Sequence, residues 1–329
     1  MYIFLESRTR PRLIPSRENF PAPTLLRHPR LQMSLSGDIR IGISGWRYKG
    51  WRGSFYPPDL AQRRELEFAS RRLTSIELNG SFYSLQRPES FQSWYADTPE
   101  DFVFSVKGPR FITHMRRLLQ VEVPLANFFA QGLLRLKNKL GPILWQFPAN
   151  FKWDRERLDN FFKLLPRTHK QAAKLARRHD QRLGGRTWFR VLEERPLRHA
   201  IEIRNDSFVS EEFIALLRKY AIGLVVADTV EWPLLMDITA DFVYCRLHGS
   251  EQLYVSGYRR EAIDVWARRV VQWSQGGEVD DGRKASSVNA QTAKARDVYV
   301  YFDNDAKVRA PVDAMALRER VSELRHQSA

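Results

Sequence analysis

Short apolar runs alternate along this chain with segments of helical periodicity, and this alternation limits its fold more than any other feature. The runs predict strands near 39–44, 74–79, 102–107, 142–147, 199–204, 222–228, 242–248 and 298–303. Helical patterns fall near 60–72, 88–97, 123–139, 154–165, 210–220, 259–274 and 311–325. Alternating strands and helices form parallel sheets. Eight strands within one such alternation predict an α/β fold, a single-domain, TIM-like (β/α)₈ barrel.

Three segments interrupt this regular pattern. Residues 1–38 are rich in Pro and Arg and predict a disordered basic arm, with Met33 as an alternative start. The barrel domain is predicted over 39–325 and includes a basic insertion, 166–198, between strands 4 and 5. It also includes a polar segment, 275–297, that is typical of a flexible loop. The connection between 228 and 241 has room only for a very short helix.

Charge and composition narrow the classes of function. The formal net charge is +15, and residues 163–198 hold 11 Lys and Arg against 3 Asp and Glu. Such a segment could bind nucleic acid, or it could be a solvated basic surface.

The single cysteine, Cys245, excludes an internal disulfide and fits a reducing cytoplasm. No apolar run approaches the length of a membrane span, so we expect no membrane partner.

Polar residues stand two apart at the ends of several apolar runs. Glu202 with Arg204 and Arg246 with His248 are two such pairs, and Glu77 with Asn79 is a third. Residues two apart on a strand share a face. Strands that are buried on both faces should be almost wholly apolar, so the pairs predict a polar site at the C-terminal mouth of the barrel.

Nine short motifs, in their order and spacing, give the chain a family resemblance. They lie at 41–51, 55–57, 76–83, 104–107, 112–114, 146–148, 202–204, 246–249 and 301–305. Together they resemble the domain-of-unknown-function 72 family, also called YecE-like, over roughly 39–318. The resemblance implies a TIM-like barrel but no reaction. One departure is Asp303, which stands where the family more often has Asn.

Acidic residues and one histidine are the candidate proton-transfer groups. Glu77, Glu202 and Asp228 could act as general acids or bases because carboxylates in a half-dry pocket can have raised pKa values. His248 could carry a proton or bind a metal. Each acid could instead pair with a neighbouring cation. No close ligand spacing is present, so we assign no metal ligands and identify no cofactor.

Candidate substrate contacts surround these groups. Lys107, Arg204 and Arg246 offer three cations suited to a carboxylate or phosphate. Acids and cations are matched in number, so a self-neutralising network is the alternative. Further substrate contacts are predicted at Asn79, Tyr48, Tyr83, Gln146, His114 and Asn304.

The sequence therefore supports three hypotheses of function. The first is an enzyme that acts on a small anionic substrate, with Glu77 and Glu202 as the acid/base pair. The second is a metal-dependent phosphodiester hydrolase. The third is a non-enzymatic nucleic-acid-binding protein that uses the basic segments. Fold alone cannot choose among them, because barrels host many chemistries.

Overall fold

The computed structural model describes residues 36–249, 253–254, 256–290, 293, 295–304 and 307–327. Eight parallel strands close into a barrel in sequence order, with β8 hydrogen-bonded to β1. The strands are β1 (Ile39–Ser44), β2 (Ser75–Leu78), β3 (Val103–Lys107), β4 (Leu140–Gln146), β5 (His199–Glu202), β6 (Gly223–Asp228), β7 (Phe242–Leu247) and β8 (Asp297–Phe302). The prediction of a TIM-like barrel is confirmed.

Helices connect most of the strands. They are α1 (Glu65–Ser70), α2 (Gly80–Tyr83), α3 (Pro88–Ala96), α4 (Glu122–Ala130), α5 (Arg155–Leu164), α6 (His169–Ala176), α7 (Glu211–Lys219), α8 (Arg260–Ser274) and α9 (Arg309–Gln327). The helix predicted over 123–139 is interrupted at Gly132, which has φ 115°. A Cβ there would lie 2.7 Å from Pro88 Cα, so the chain turns sharply where α3 packs against it.

Alternate residues of the strands build two separate apolar layers. One face of each strand packs against the helices in the larger layer, which includes the fully buried Cys245. The other face fills the barrel interior with small residues from β5 and β6 and large rings from β7 and β8. Tyr244 and Tyr301 lie there with ring centroids 5.1 Å apart. Their hydroxyls bond to Ser105 and Ser75 at 2.7 Å, which satisfies the polar atoms inside the barrel.

The connection from β6 to β7 contains no helix in the described part of the chain. The polar segment that follows α8 lies against it instead. Met236 N donates to Arg283 O, and the Asp237 carboxylate accepts from the backbone N–H groups of Ala285 and Ser286. The segment predicted to be a flexible loop thus replaces the missing helix as the cover of this connection.

The basic insertion contributes one helix to the outer layer. Its helix, α6, begins at the N-cap residue Thr168 and packs against α4 through Ala172 and Ala176. Arg177 and Arg178 lie exposed beyond the C-terminal end of α6. The predicted N-terminal arm lies outside the described residues, apart from its last three positions. Within the described residues, no helix combines the length and hydrophobicity that a membrane crossing requires.

Candidate functional site

A fully buried arginine at the end of β7 organises the C-terminal mouth of the barrel. All three guanidinium nitrogens of Arg246 make hydrogen bonds. Nε and Nη2 donate to the two oxygens of Glu77, and Nη1 donates to Glu202 Oε2 at 2.6 Å. Nη2 also donates to Asp303 Oδ2 at 2.9 Å and to Ser44 Oγ at 3.2 Å. The carboxylates raise the pKa of Arg246 against the effect of its burial. The donors of Arg246 are therefore occupied by carboxylates of the protein itself, and its predicted role as an anion clamp stays a prediction.

Glu77 is the most completely bonded carboxylate of the site. Besides the two bonds from Arg246, its oxygens accept from Ser44 Oγ at 2.9 Å and from the Tyr244 hydroxyl at 2.7 Å. The side chain has no exposed surface. A carboxylate that accepts four hydrogen bonds in this way fixes its neighbours, and no substrate atom can reach it without breaking that arrangement.

Glu202 accepts hydrogen bonds both from the buried Arg246 and from Arg204 at the rim of the mouth. Arg246 binds one of its oxygens, while Arg204 Nε at 2.7 Å and Gln146 Nε2 at 2.9 Å bind the other. Burial alone would raise the pKa of Glu202, but Arg246 and Arg204 hold it well below its ordinary value. Glu202 is thus ionised at neutral pH and is a weak proton donor or acceptor.

Arg204 retains hydrogen-bonding capacity toward the mouth. Its guanidinium carbon lies 4.1 Å from the centroid of the Trp232 ring, and Nη2 reaches the Tyr254 hydroxyl at 3.3 Å. The side chain is 17% exposed, in contrast to Arg246, which has no exposed surface. Arg204 is therefore the guanidinium that can meet a ligand.

His248 lies on the same strand face as Arg246, as the spacing of two predicted. Its Nδ1 is 3.1 Å from Asp303 Oδ2 and its Nε2 is 4.0 Å from Glu202 Oε2. Nδ1 is thus within hydrogen-bonding distance of Asp303, whereas Nε2 has no hydrogen-bond partner among the described residues. Burial would raise the pKa of Asp303, but Arg246 and His248 outweigh it and hold this pKa below the ordinary value. Asp303 is thus a fixed negative charge beside the imidazole.

Lys107 ends β3 inside the same mouth and is only 7% exposed. Its Nζ lies 4.4 Å from the centroid of the Phe82 ring, and no described residue accepts a hydrogen bond or forms an ion pair with it. Ser81 Oγ donates to the Lys107 carbonyl at 2.7 Å, which fixes the short helix α2 that carries Phe82. Burial and the nearby Arg246 lower the pKa of Lys107 to about 8, despite the attraction of the acids.

His114 lies in the connection after β3, and its imidazole packs at a right angle to the Phe82 ring. The two ring centroids are 5.2 Å apart, and Thr113 Oγ1 contacts His114 Nδ1 at 2.9 Å. Burial, with Lys107 and Arg110 nearby, lowers the pKa of His114 to about 4. This imidazole is therefore neutral at physiological pH.

A cleft with a volume of about 310 Å³ opens beside the mouth between the loops after β1 and β2. Asn79, Tyr48 and Tyr83 line it, together with Trp46 and Trp94. The Tyr48 hydroxyl donates to Ser44 O at 2.5 Å, and Tyr83 is 72% exposed. Asn79 Oδ1 is buried and finds no hydrogen-bond partner in the described part of the chain. Three predicted substrate contacts thus share one cleft, separate from the charged network.

Two predicted site residues lie outside the mouth. Asp228 follows Ala227, which faces the barrel interior, so Asp228 faces the helices, where burial raises its pKa and Tyr258 and Trp266 lie nearby. Asn304 likewise follows Asp303 and donates to Ser256 O and to Asp313 Oδ2, both at 2.9 Å. Each residue stands one position away from the inward-facing register, and the one-residue offset reverses its direction.

The carboxylates of the mouth do not form a metal centre in the described part of the chain, where no three His, Cys, Asp or Glu side chains converge as ligands. The physical reason is the position of Arg246. Its guanidinium lies between Glu77, Glu202 and Asp303 and provides the positive charge there. The hypothesis of a metal-dependent hydrolase therefore loses its simplest ligand set.

Two residues of the mouth had no place in the sequence-based predictions. Tyr244 precedes Arg246 by two residues, so the alternation on β7 could have assigned it to the same face. Trp232 stacks under Arg204 and its ring centroid is 5.6 Å from that of His248. Its loop has no periodic pattern, so no sequence signal points to it.

Comparison with known proteins identifies one family and several relatives. The family described as "Protein of unknown function DUF72" matches residues 40–329. UPF0759 protein YunF of Bacillus subtilis is 34% identical over 123 residues, which cover 36% of this chain and less than half (43%) of YunF. UPF0759 protein YecE of Escherichia coli O157:H7 is 24% identical over 242 residues, 72% of this chain and 82% of YecE.

Solved structures share the fold. A DUF72 family protein from Thermotoga maritima superposes with a TM-score of 0.65 at 23% identity, covering 87% of this chain and 99% of the other. One from Enterococcus faecalis gives 0.61 at 18% identity, covering 86% and 95%. The family match extends over nearly all of the barrel, and the chain therefore belongs to the DUF72 family.

Proposed function

We propose that this protein is an enzyme that binds a small anionic substrate at the C-terminal mouth of the barrel. Arg204 and Lys107 supply positive charge to the anion, and His248, held beside Asp303, carries the proton. The proton-transfer role thus moves from Glu77 and Glu202, whose oxygens are occupied, to the imidazole. A cytoplasmic location remains a prediction.

The observation that carries this proposal is the incomplete bonding of the charged cluster. A purely structural network should satisfy its members, because a buried polar group without a partner costs about 1–3 kcal/mol. Arg246 and Glu77 are satisfied in this way, whereas the Lys107 ammonium has no acceptor among the described residues and His248 Nε2 has no partner nearer than Glu202 at 4.0 Å. Unpaired buried polar atoms also occur elsewhere in the fold, so it is the convergence of Lys107 and His248 in one mouth that supports a ligand there.

The test measures anion binding with inorganic phosphate and oxalate as probes. Titration calorimetry should detect binding to the unmodified protein, and Arg204→Gln and Lys107→Met should each weaken it at least tenfold. Lys174→Gln, at an exposed position on α6, is the matched control and should bind like the unmodified protein. Equal affinity in all four proteins, or no binding of either anion, would refute the proposal.

Nucleic-acid binding through residues 163–198 and the N-terminal arm remains a separate prediction. The exposed Arg177 and Arg178, beyond the C-terminal end of α6, are compatible with it. Retention on nucleic acid that falls steeply with salt would support that role.

A further inference from the structure

We propose that Lys107 is a nucleophile that forms an imine with a carbonyl group of the substrate. This inference rests on the proposed function and specifies its substrate class as a small anionic aldehyde, ketone or oxo acid. In this assignment Arg204 keeps the contact to the anionic group, and Lys107 reacts with the carbonyl carbon.

The surroundings of Lys107 are those of a reactive amine. An ammonium in a protein interior is usually held by carboxylates or carbonyl oxygens, as Lys139 is, which donates to Tyr95 O, Thr98 O and Thr98 Oγ1. Lys107 has the Phe82 ring instead and no acceptor among the described residues. Without acceptors the ammonium form is not stabilised, so Lys107 loses its proton more readily, and the neutral amine is the nucleophile.

The position of Lys107 also suits a bond to a substrate atom. It is the last residue of a barrel strand and faces the interior, on the same side as Ser105, whose hydroxyl bonds to Tyr244. The side chain keeps a small exposed fraction, 7%, so the amine is shielded but not enclosed. Reacting groups of barrel enzymes come from such strand ends.

Charged groups around Lys107 shift its proton equilibrium in a direction that favours reaction. The groups that face it are Arg246 on β7, Glu77 on β2, Glu202 on β5 and Asp303 after β8, with His114 and Arg204 nearby. Burial and Arg246 dominate and lower the pKa to about 8. At pH 8 about half of the amine is then neutral, whereas less than about one per cent of an exposed lysine is.

The chemical step balances without another reactant. The neutral Lys107 nitrogen attacks the carbonyl carbon, a C–N bond forms, and the carbonyl oxygen takes up a proton to give a carbinolamine. The nitrogen lone pair then forms the C=N bond as the hydroxyl leaves. The two hydrogens of the amine and the carbonyl oxygen depart together as one water molecule.

The test uses pentane-2,4-dione, a neutral diketone that converts a reactive amine to a vinylogous amide with a new near-ultraviolet absorption. The unmodified protein should give one equivalent of this product, located at Lys107 by peptide mapping. The product should form on the order of a hundredfold faster at pH 7 than at exposed lysines, following the greater fraction of neutral amine. The rate should reach half of its maximum near pH 8.

Variants separate this inference from the proposed function. Lys107→Met should lose the product and bind phosphate weakly, whereas Lys107→Arg should lose the product but still bind phosphate, because it keeps the charge. Lys174→Met should react like the unmodified protein. The inference fails if Lys107→Met gives the fast product, or if the pH midpoint matches that of exposed lysines. Because the diketone carries no charge, either failure would leave the phosphate result intact.

Discussion

Replacing Lys107 by Met should stabilise the protein while it removes the reactive amine. Lys107 is only 7% exposed, and its pKa falls from 10.5 in the unfolded chain to about 8 in the fold. Since one pKa unit corresponds to about 1.4 kcal/mol, the protonated amine destabilises the fold by about 3 kcal/mol at pH 7. Methionine fills a similar volume next to Phe82 without a charge, so most of this energy should be recovered.

The stability difference between Lys107→Met and the unmodified protein should depend on pH. Between pH 8 and 10.5 the unfolded chain binds more protons at this lysine than the folded protein does, so the contribution of Lys107 to stability improves as the pH rises. The advantage of Lys107→Met should therefore shrink to about 1 kcal/mol or less at pH 10. Urea unfolding followed by tryptophan fluorescence at pH 7 and pH 10 measures both values.

Lys139 is the matched control because it is also buried. Burial lowers its pKa too, but Lys139→Met would leave the carbonyl oxygens of Tyr95 and Thr98 without their donor. We expect that variant to lose about 1–3 kcal/mol. A Lys107→Met protein that is less stable than the unmodified one, or equally improved at both pH values, would refute the reasoning.

Two further expectations follow from the network around Arg246, and a third concerns Asn304, which lies outside that network. Arg246→Met should reduce the free energy of unfolding by about 3–5 kcal/mol, because three carboxylates lose their buried cation; unfolding at an unchanged urea concentration would contradict its central role. The stability that Glu202 and Asp303 contribute is present above their unfolded pKa values and is lost as the pH falls through the lowered folded values. The urea midpoint should therefore drop below about pH 4, and less steeply in Glu202→Gln. Asn304→Ala should cost about 1–3 kcal/mol through its lost bonds to Ser256 and Asp313, and a changed phosphate affinity would instead place Asn304 in the site.

The period of two along a strand explains why much of the mouth was predictable. Glu202 and Arg246 are each inward-facing because the residue two positions earlier, Ala200 or Tyr244, is inward-facing as well. Their directions follow from local geometry that every strand obeys, and closure of the barrel then brings them together. Position was therefore readable from sequence wherever polar residues marked one face of the strand.

The period of two did not show which face is inward where polar residues do not distinguish the two faces of a strand. Strand β6 is apolar on both faces up to its last residue, so the sequence does not reveal that Ala227 faces inward and Asp228 outward. At the end of β8, Asp303 and Asn304 are both polar, and either could have been the inward one. A one-residue ambiguity reverses the assignment, and only the register with neighbouring strands resolves it.

The hydrogen-bond partners within the mouth could not be predicted from the sequence, for a different reason. The bonds of Arg246 join strands separated by up to 202 positions, as with Ser44, and depend on distances across the closed barrel. Equal numbers of acids and cations were evident beforehand. Which cation has no acceptor among the described residues, Lys107, is decided by side-chain geometry alone.

The negative charge of Asp303 should stabilise the proposed imine on Lys107. Glu77, Glu202 and Asp303 face Arg204 and Arg246, which leaves one negative charge in excess before Lys107 is counted. A protonated imine on Lys107 would be a cation, and this excess would stabilise it. Asp303→Asn removes the excess and one attraction that raises the pKa of Lys107. The pH midpoint of diketone labelling should therefore move below that of the unmodified protein, and an upward shift would show that Asp303 does not act on Lys107 through its charge.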